Sequence, residues 1–447
     1  MFCEECGKKR MNKLTVIGGG LAGCEAAYAA ANRGIEVELI EMKPAKKTAA
    51  HKSDYLAELV CSNSLKASRV DSAAGLLKEE MRRLGSVCLA AADKSAVAAG
   101  GALAVDRDIF SRLITEKIKN HPNITVTERL VTEIPQGGVT VIATGPLTDD
   151  KLAEKLAGLC EGGNLSFYDA AAPIVTAESV DMSKAFFASR YDKGGDDYIN
   201  CPMNKEEYTA FYHELINAES APLHGFDKAP NVYEGCMPVE VLAKRGEDSI
   251  RFGPLKPVGL RDPRTGHRPW AAVQLRRENA AATLFNIVGF QTNLKFSEQK
   301  RVFSMIPGLE NAEFMRYGVM HRNTFINSPK LLNRNLSLKT DKNIFIAGQL
   351  SGVEGYMESA ASGIIAGINA AAEITGEKPL VLPETTMTGA LLSYITNPLT
   401  DNFQPMGANF GIIPPLETHI RDKRERYAAL AARALGILAD NIKTEEI

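Results

Sequence analysis

The strongest hydrophobic pattern in this 447-residue chain lies between Leu14 and Glu41. The apolar run at residues 14–17 predicts a buried parallel strand, and an alanine-rich run that ends at Arg33 predicts a closely packed helix. A second apolar run, residues 37–41, predicts the next strand, which ends in an acid. Together these segments predict a βαβ unit.

Glycines fill the turn between the first predicted strand and its helix. Gly18, Gly20 and Gly23 stand at the three positions of the dinucleotide-binding fingerprint. The first allows a sharp turn, the second lets a pyrophosphate approach the backbone, and the third lets the helix press on the sheet. The cofactor-binding run is predicted to comprise Gly18, Gly19, Gly20, Leu21, Ala22 and Gly23. Glu41 stands where a carboxylate would accept hydrogen bonds from a ribose.

A second glycine-rich helix start follows much later in the chain. Residues 343–349 predict a strand that ends in Gly348 and Gln349, and a helix of small residues is predicted from 359 to 374. Gly355 and Tyr356 lie between them. The first fingerprint does not separate NAD from FAD, but a second helix end of this kind favours FAD, because flavoproteins with this N-terminal fold bring one to the flavin.

The alternation of strand and helix patterns fades near Phe186. Residues 191–316 are richer in proline, glycine, aromatic and basic residues, which indicates an inserted domain. We therefore predict an α/β fold in which a Rossmann-like FAD-binding domain, residues 11–190 and 317–447, carries a smaller inserted α+β domain, residues 191–316. Residues 1–10 are predicted to be a short extension.

Composition sets limits on the protein's class. A hydrophobic content of 45% suits a large core, and a net charge of -2 gives no global signal for nucleic-acid binding. No signal peptide and no membrane-spanning run is visible, and eight scattered cysteines do not resemble a disulfide framework. A cytoplasmic protein is predicted. Cys3 and Cys6 form one C-x-x-C without a second pair, so no metal site is predicted.

Positive charge is concentrated in residues 244–278. Nine basic residues minus four acidic ones give this stretch a charge of +5. Such a local excess suits a phosphate backbone or a polyanionic small substrate, although a solvated surface is the commoner meaning of a charge run. The interleaved aromatic residues favour contact with a ligand, because aromatic rings stack on bases. Arg261, Arg264 and Arg268 are the candidate contacts to RNA.

Two cysteines are candidate nucleophiles. Cys61 lies near the centre of the polar segment 51–69, at the predicted carboxyl edge of the sheet and just before a helix, a position that favours the thiolate. Cys236 lies in a turn between Gly235 and Pro238. For each of them, a small packed side chain is the alternative interpretation.

Five motifs taken in order resemble the folate- and FAD-dependent tRNA uracil-5-methyltransferases, the TrmFO family, which is related to the larger GidA-type tRNA modification flavoproteins. The motifs are Gly18–Gly23 and the segments 59–64, 234–238, 320–324 and 348–356. The resemblance runs from about Met11 to the C-terminal tail.

The resemblance implies a reaction in which methylenetetrahydrofolate gives its one-carbon unit to C5 of the T-loop uridine, position 54, of tRNA. Reduced FAD would supply the electrons and NADH or NADPH would reduce the flavin again. It also implies that Cys236 attacks C6 of the uracil, that Cys61 acts near the one-carbon unit or as a proton acceptor, that Tyr356 lies against the flavin, and that His321 stacks on the pterin. Thiolate addition makes the poorly nucleophilic C5 reactive.

Three alternatives are weighed against this interpretation. A GidA-type modifier of the wobble uridine would carry a long helical C-terminal domain, for which the roughly ninety residues after the second glycine segment are too few. A flavin disulfide reductase needs two cysteines close together beside the flavin. A non-catalytic flavoprotein that binds tRNA would show no methyl transfer.

Overall fold

The structure, a computed structural model, describes residues 13–48, 50–159, 165–192, 195–222, 237–400 and 403–443. The strands in these ranges are β1 Lys13–Ile17, β2 Glu36–Glu41, β3 Ser64–Ala67, β4 Ala96–Val97, β5 Ala102–Val105, β6 Ile124–Glu128, β7 Val139–Ile142, β8 Leu165–Ala170, β9 Ile174–Thr176, β10 Phe186–Phe187, β11 Tyr198–Met203, β12 Ala271–Arg277, β13 Leu284–Ile287, β14 Phe314–Arg316, β15 Met320–Phe325 and β16 Ile344–Ile346. The helices are α1 Leu21–Ala31, α2 Ala73–Arg83, α3 Val87–Lys94, α4 Arg107–Lys119, α5 Asp150–Ala157, α6 Lys205–Asn217, α7 Val239–Ala243, α8 Glu247–Arg251, α9 Phe296–Phe303, α10 Ser328–Leu331, α11 Tyr356–Thr375, α12 Met387–Thr396 and α13 Lys423–Lys443.

A parallel sheet forms the centre of the dinucleotide-binding domain. Its strands run in the order β16-β7-β1-β2-β6, and each neighbouring pair is parallel. Leu14 and Val16 of β1 are fully buried, as expected for a strand covered on both faces. The predicted βαβ unit is present, so this part of the predicted α/β fold is confirmed.

Small residues allow α1 and α11 to pack in direct backbone contact. A Cβ atom at Gly363 would lie 2.2 Å from the carbonyl oxygen of Ala22, and one at Gly367 would lie 2.3 Å from that of Ala26. Side chains at these two positions would therefore force the helices apart. The contacts place Gly363, two turns into α11, against the start of α1, and the two helices run in the same direction.

A second sheet belongs to the inserted region. Its strands run in the order β10-β11-β12-β13-β9-β14 with antiparallel pairing, and α6 and α9 pack near its own core around Phe211, Phe290 and Phe303. Because β9 and β10 precede the predicted boundary at Tyr191, we propose that the insertion begins near residue 171 and ends near 317.

The described chain also forms two small sheets. The strands β8 and β15 pair antiparallel, and β3, β5 and β4 form a three-stranded sheet that leads into α2. Over the described ranges, none of the helices combines the length and the apolar character needed to cross a membrane.

Candidate active site

The first glycine turn has the geometry of a phosphate-binding loop. Gly18 adopts φ +102°, and a Cβ atom there would lie 2.5 Å from the carbonyl oxygen of Ala143. A Cβ atom at Gly23 would lie 1.8 Å from the carbonyl oxygen of Gly18, so helix and turn meet backbone to backbone. At Gly20, by contrast, a Cβ atom would meet nothing within 4 Å. The open space lies at the start of α1, where a pyrophosphate would meet free N–H groups.

Glu41 is held against this turn. One carboxylate oxygen accepts the N–H of Gly19 at 2.6 Å, and the other accepts the N–H of Lys43 at 2.9 Å. Each oxygen keeps a lone pair for a ribose hydroxyl. A groove of about 130 Å³ runs from Glu41 past the glycine turn to Gly348, so the residues fit the predicted dinucleotide.

The second glycine segment completes the same groove. Gly348 adopts φ +75°, and a Cβ atom there would lie 3.0 Å from the Cβ of Ala22. The N–H of Gly348 donates to Ser362 Oγ at 2.8 Å, and the amide of Gln349 donates to Glu354 at 2.7 Å. The predicted cofactor residues of the two distant segments therefore form one site.

A larger cavity of about 370 Å³ opens from the groove. The two spaces share Val60, Pro146, Leu147, Gln349 and Tyr356. Cys61, Asn323, Gly355 and Glu358 also line the cavity. Its size suits a heterocyclic ligand next to the predicted cofactor.

Cys61 and Tyr356 meet in this cavity. The phenolic oxygen of Tyr356 accepts the N–H of Cys61 at 2.7 Å and that of Ser62 at 3.3 Å. The Cys61 thiol donates to the carbonyl oxygen of Ala170 at 3.7 Å. Burial raises the pKa of Tyr356, so its phenol keeps its proton at neutral pH. No described residue accepts that proton, which can therefore be donated to a ligand.

The other described cysteines are structural. Cys24, Cys88 and Cys201 are fully buried, whereas Cys61 is partly exposed. Burial raises the pKa of Cys201 to about 12 and raises that of Cys88 as well. A protonated, enclosed thiol is a poor nucleophile. Among the cysteines that the structure describes, Cys61 is thus the accessible one.

Three arginines from different elements hold the loop that carries Cys61. Arg107 donates to the carbonyl oxygens of Leu59 at 2.6 Å and Cys61 at 3.3 Å. Arg276 donates to Asn63 Oδ1 at 3.1 Å and to Ser62 Oγ at 3.0 Å.

The third arginine, Arg316, donates to the carbonyl oxygen of Val60. Arg276 and Arg316 belong to β12 and β14, so the inserted region fixes the loop of the other domain. No local pattern in the sequence indicates this role.

A buried acid pairs with one of these arginines. Glu278 pairs with Arg107, and burial raises the pKa of Glu278 while the charge of Arg107 opposes the rise. Burial lowers the pKa of both Arg276 and Arg316, and Arg107 lowers that of Arg316 further. The loop therefore lies in a region with more positive than negative groups.

A second set of unpredicted residues supports the groove near Glu41. The buried ammonium of Lys43 donates to the carbonyl oxygen of Tyr55 at 2.6 Å and pairs with Glu58 at 3.1 Å. His51 Nδ1 lies 2.8 Å from Thr48 Oγ1, and burial followed by the charge of Lys43 lowers the pKa of His51. This imidazole is neutral at pH 7 and faces the groove.

The structure describes only some of the remaining predicted site residues. Cys236, like Cys3 and Cys6, lies outside the described residues. For His321 the backbone lies in β15 opposite Asp169, and its side chain is outside the described part. Arg261, Arg264 and Arg268 are exposed on the segment between α8 and β12 and line neither space.

Comparison with known proteins identifies a family. The profile described as "GIDA: Glucose inhibited division protein A" matches residues 13–378. A protein of Lactobacillus gasseri named methylenetetrahydrofolate--tRNA-(uracil-5-)-methyltransferase TrmFO is 57% identical over 425 residues, which cover 95% of this chain and 97% of that protein. The proteins of the same name from Acetivibrio thermocellus and Enterococcus faecalis are 58% and 56% identical, over 96% and 97% of this chain and 98% and 99% of their own.

Solved structures confirm the fold. Two crystal forms of Aquifex aeolicus GidA superpose with TM-scores of 0.68 and 0.70 at 17% and 18% identity. They cover 96% of this chain and 73% and 76% of the GidA chain. Together with the profile and the relatives, these findings confirm the resemblance that the five motifs predicted: the chain belongs to the GidA family and, within it, to the TrmFO methyltransferases.

Proposed function

We propose that this protein methylates C5 of the T-loop uridine, position 54, in tRNA, with methylenetetrahydrofolate as the one-carbon donor. Reduced FAD supplies the two electrons that convert the transferred methylene into a methyl group, and NADH or NADPH reduces the flavin again. The products are 5-methyluridine in tRNA, tetrahydrofolate and oxidised FAD. A cytoplasmic location, where tRNA is available, accompanies this proposal.

One structural observation carries the proposal besides the relatives. The groove formed by both glycine turns opens into a cavity that contains an accessible thiol and a protonated phenol, Cys61 and Tyr356. Gly18 to Gly23, Glu41, Gly348 and Gln349 would hold the dinucleotide and its phosphates, and Gly355 and Tyr356 would border the flavin. The Tyr356 hydroxyl both fixes the backbone of Cys61 and retains a proton for the reaction.

The inserted region would bring the uridine to this cavity. Just after the segment that holds Cys236, the N–H of Val239 donates to the carbonyl oxygen of Gln291 at 2.7 Å, and Gln291 lines the cavity. The described chain therefore resumes, after the segment that holds Cys236, next to a residue of the cavity wall. We propose that Cys236 adds to C6 of an extruded uracil, that Cys61 acts on the one-carbon unit or accepts the C5 proton, and that His321 stacks on the pterin.

Mass spectrometry of tRNA tests the activity directly. The purified protein should be yellow and should convert one uridine of an unmodified transcript into 5-methyluridine when methylenetetrahydrofolate and NADH or NADPH are present. Omission of the folate should abolish the product. A colourless protein that takes up no FAD, or one that binds tRNA without modifying it, would contradict the proposal.

Two cysteine variants test the division of roles. Cys236→Ser should keep FAD and tRNA affinity but lose methylation, because the serine hydroxyl stays protonated at neutral pH. It should also lose the covalent adduct with tRNA that carries 5-fluorouridine at the target position. Cys61→Ser should lose turnover yet still form that adduct. An adduct that survives in Cys236→Ser and disappears in Cys61→Ser would show that the two roles are reversed.

A further inference from the structure

Tyr191 has an unusual backbone conformation on the inserted region. Its φ and ψ angles are 62° and 25°, in the left-handed region that bulky residues rarely adopt. Such a conformation costs free energy for most residues that carry a Cβ atom, and an observed outlier of this kind points to a function. The residue is nevertheless 54% exposed, so burial of its ring in a core does not explain the conformation.

The strained backbone lays the ring of Tyr191 on a glycine. The N–H of Tyr191 donates to the carbonyl oxygen of Gly259 at 2.9 Å. A Cβ atom at Gly259, whose φ angle is +84°, would lie 2.9–3.0 Å from three adjacent ring carbons. Nearly equal distances to three adjacent carbons mean that Gly259 meets the face of the ring and not its edge. A side chain at position 259 would push the ring away, so this glycine supports the ring as a flat surface.

The preceding residue, Arg190, is a cation without a counter-charge in the described part of the chain. Its guanidinium forms no hydrogen bond or ion pair there, and its Nε and Nη2 atoms are buried without an acceptor. Burial also lowers the pKa of Arg190. An enclosed charge without a partner is costly, and an anion beside the guanidinium would offset that cost.

This pair lies at the end of the second sheet that is nearest to Cys61. The N–H of Ala188 donates to the carbonyl oxygen of Tyr198 at 3.0 Å, and Tyr198 pairs with Arg276 across β11 and β12. Arg276 is the arginine that holds Ser62, the residue after Cys61. The pair follows Ala188 by two and three positions, so it belongs to the side of the inserted region that meets the active-site loop.

The two segments that meet at this point are positive overall. Residues 256–268, which include Gly259, contain four basic residues and one acidic residue, a charge of +3. Residues 190–197 contain two basic and three acidic residues, a charge of -1, which leaves +2 for both segments together. One of the three acids, Asp197, accepts the N–H of Gly100 at 2.7 Å. The local excess of positive charge favours a polyanion as the partner of this surface.

We propose that Tyr191 stacks on an unpaired base of tRNA and that Arg190 neutralises a phosphate beside that base. The proposal rests on the tRNA-modifying function proposed above and assigns two of its contacts. Proteins that bind single-stranded nucleic acid combine positive charge with exposed aromatic rings, because every base has a face that can stack. A uridine extruded for modification leaves its neighbours in the loop without a stacking partner. The ring is already held in place by the backbone and Gly259, so little further ordering is needed when a base binds.

Filter binding of unmodified tRNA to the FAD-loaded protein tests both contacts. Tyr191→Gly should weaken binding about tenfold, because it removes the stacking ring, whereas Tyr191→Phe keeps the ring and should bind like the wild type. Loss of stacking releases no phosphate, so the slope of log affinity against log salt should not change in Tyr191→Gly. Arg190→Met should fold, because it removes a charge that has no partner, and should reduce that slope by roughly 0.7–0.9, the value for one phosphate.

The stability of the same variants separates a binding role from a structural one. Glycine adopts positive φ angles readily, so Tyr191→Gly should retain the urea stability of the wild-type protein. Ala282→Gly is the matched control, because Ala282 also has a positive φ angle, 53°, in the inserted region. It relieves similar strain without removing a ring and should leave tRNA affinity unchanged.

The outcomes separate the two proposals. Unchanged tRNA affinity in Tyr191→Gly would overturn the stacking role, and an unchanged salt slope in Arg190→Met would overturn the phosphate contact. Weaker binding together with lower urea stability in Tyr191→Gly would also overturn the stacking role, because the ring would then support the fold. Unchanged affinity with an altered oligomeric state in size-exclusion chromatography would overturn it as well and would assign the ring to a contact between copies of this chain. A wild-type protein that binds tRNA through these residues but does not methylate it would contradict the proposed function alone.

Discussion

Two sets of arginines in this molecule differ in their environment. The inner set, Arg107, Arg276 and Arg316, is largely enclosed and donates to the backbone and side chains of residues 59–63. The outer set, Arg261, Arg264 and Arg268, is exposed on the inserted region. The comparison shows that the same side chain serves as an internal support where carbonyl groups surround it and becomes available to phosphates where water surrounds it.

Removal of an inner arginine should have the largest effect. Arg276→Met would leave Asn63 Oδ1 and Ser62 Oγ without their charged donor, which should cost about 3–5 kcal/mol of unfolding free energy for two such bonds. The Cys61 loop should lose its position, and methylation should fall at least about a hundredfold. Urea unfolding and the tRNA mass assay measure the two effects.

Arg268→Met is the control for this variant, because it makes the same substitution in the outer set. It should leave stability unchanged. If Arg276→Met retained wild-type stability and activity, the two sets would not differ as the structure indicates.

Burial also changes the behaviour of an acidic side chain, Glu25, and this effect can be tested by changing the pH. Glu25 accepts the hydroxyl of Ser86 and the N–H groups of Val87 at 3.1 Å and Cys88 at 3.0 Å, at the start of α3. Burial raises the pKa of Glu25 from 4.5 to about 7. A raised pKa in the folded state means that the associated stability is present below pH 4.5 and is lost as the pH rises to about 7.

The wild-type protein should therefore lose about 3 kcal/mol relative to Glu25→Gln across this interval. Urea unfolding of both proteins without FAD between pH 5 and pH 8 would show the difference, since glutamine does not titrate. Parallel stability curves would mean that burial of Glu25 does not control its protonation.

The outer set should determine how tRNA binding depends on salt. Simultaneous charge reversal of Arg261, Arg264 and Arg268 should weaken binding and reduce the slope of log affinity against log salt by roughly 0.7–0.9 for each phosphate that the variant no longer neutralises. Filter binding at several salt concentrations measures the slope. Reversal of Lys342, a 75% exposed lysine of the other domain, is the control. An unchanged slope in the triple variant would place the RNA elsewhere.

The features that could be predicted from the sequence are those that depend on residues close together in the chain. The α/β fold, the two glycine turns and the family were predicted from segments whose pattern lies within a few residues, and these are confirmed. Both predicted glycine segments, Glu41, Cys61 and Tyr356 lie at one connected groove and cavity. Their catalytic and binding roles stay predictions, as do the roles of Cys236 and His321.

What the sequence could not reveal are contacts between distant residues. Arg276 belongs to the basic stretch 244–278 by sequence, yet it is buried and bonds to Ser62, which lies 214 positions earlier. Its position in β12 after the buried residues Ala271 to Val273 was the one available signal.

Within the outer set, Arg264 should contribute least. Its guanidinium donates two hydrogen bonds to Asp262, at 3.0 and 2.7 Å, and these bonds hold the pKa of Asp262 below its usual value. The pair carries no net charge, whereas Arg261 and Arg268 form no ion pair with described residues.

Arg264→Ala should therefore change tRNA affinity less than about twofold, since exposed pairs contribute little. The double variant Arg261→Ala/Arg268→Ala should reproduce most of the loss of affinity seen in the triple variant. Asp262→Asn sharpens the test, because it frees the Arg264 charge and should strengthen binding at low salt. If Arg264→Ala weakened binding as much as Arg261→Ala, the pair would have to open when RNA binds, and all three outer arginines would be equivalent.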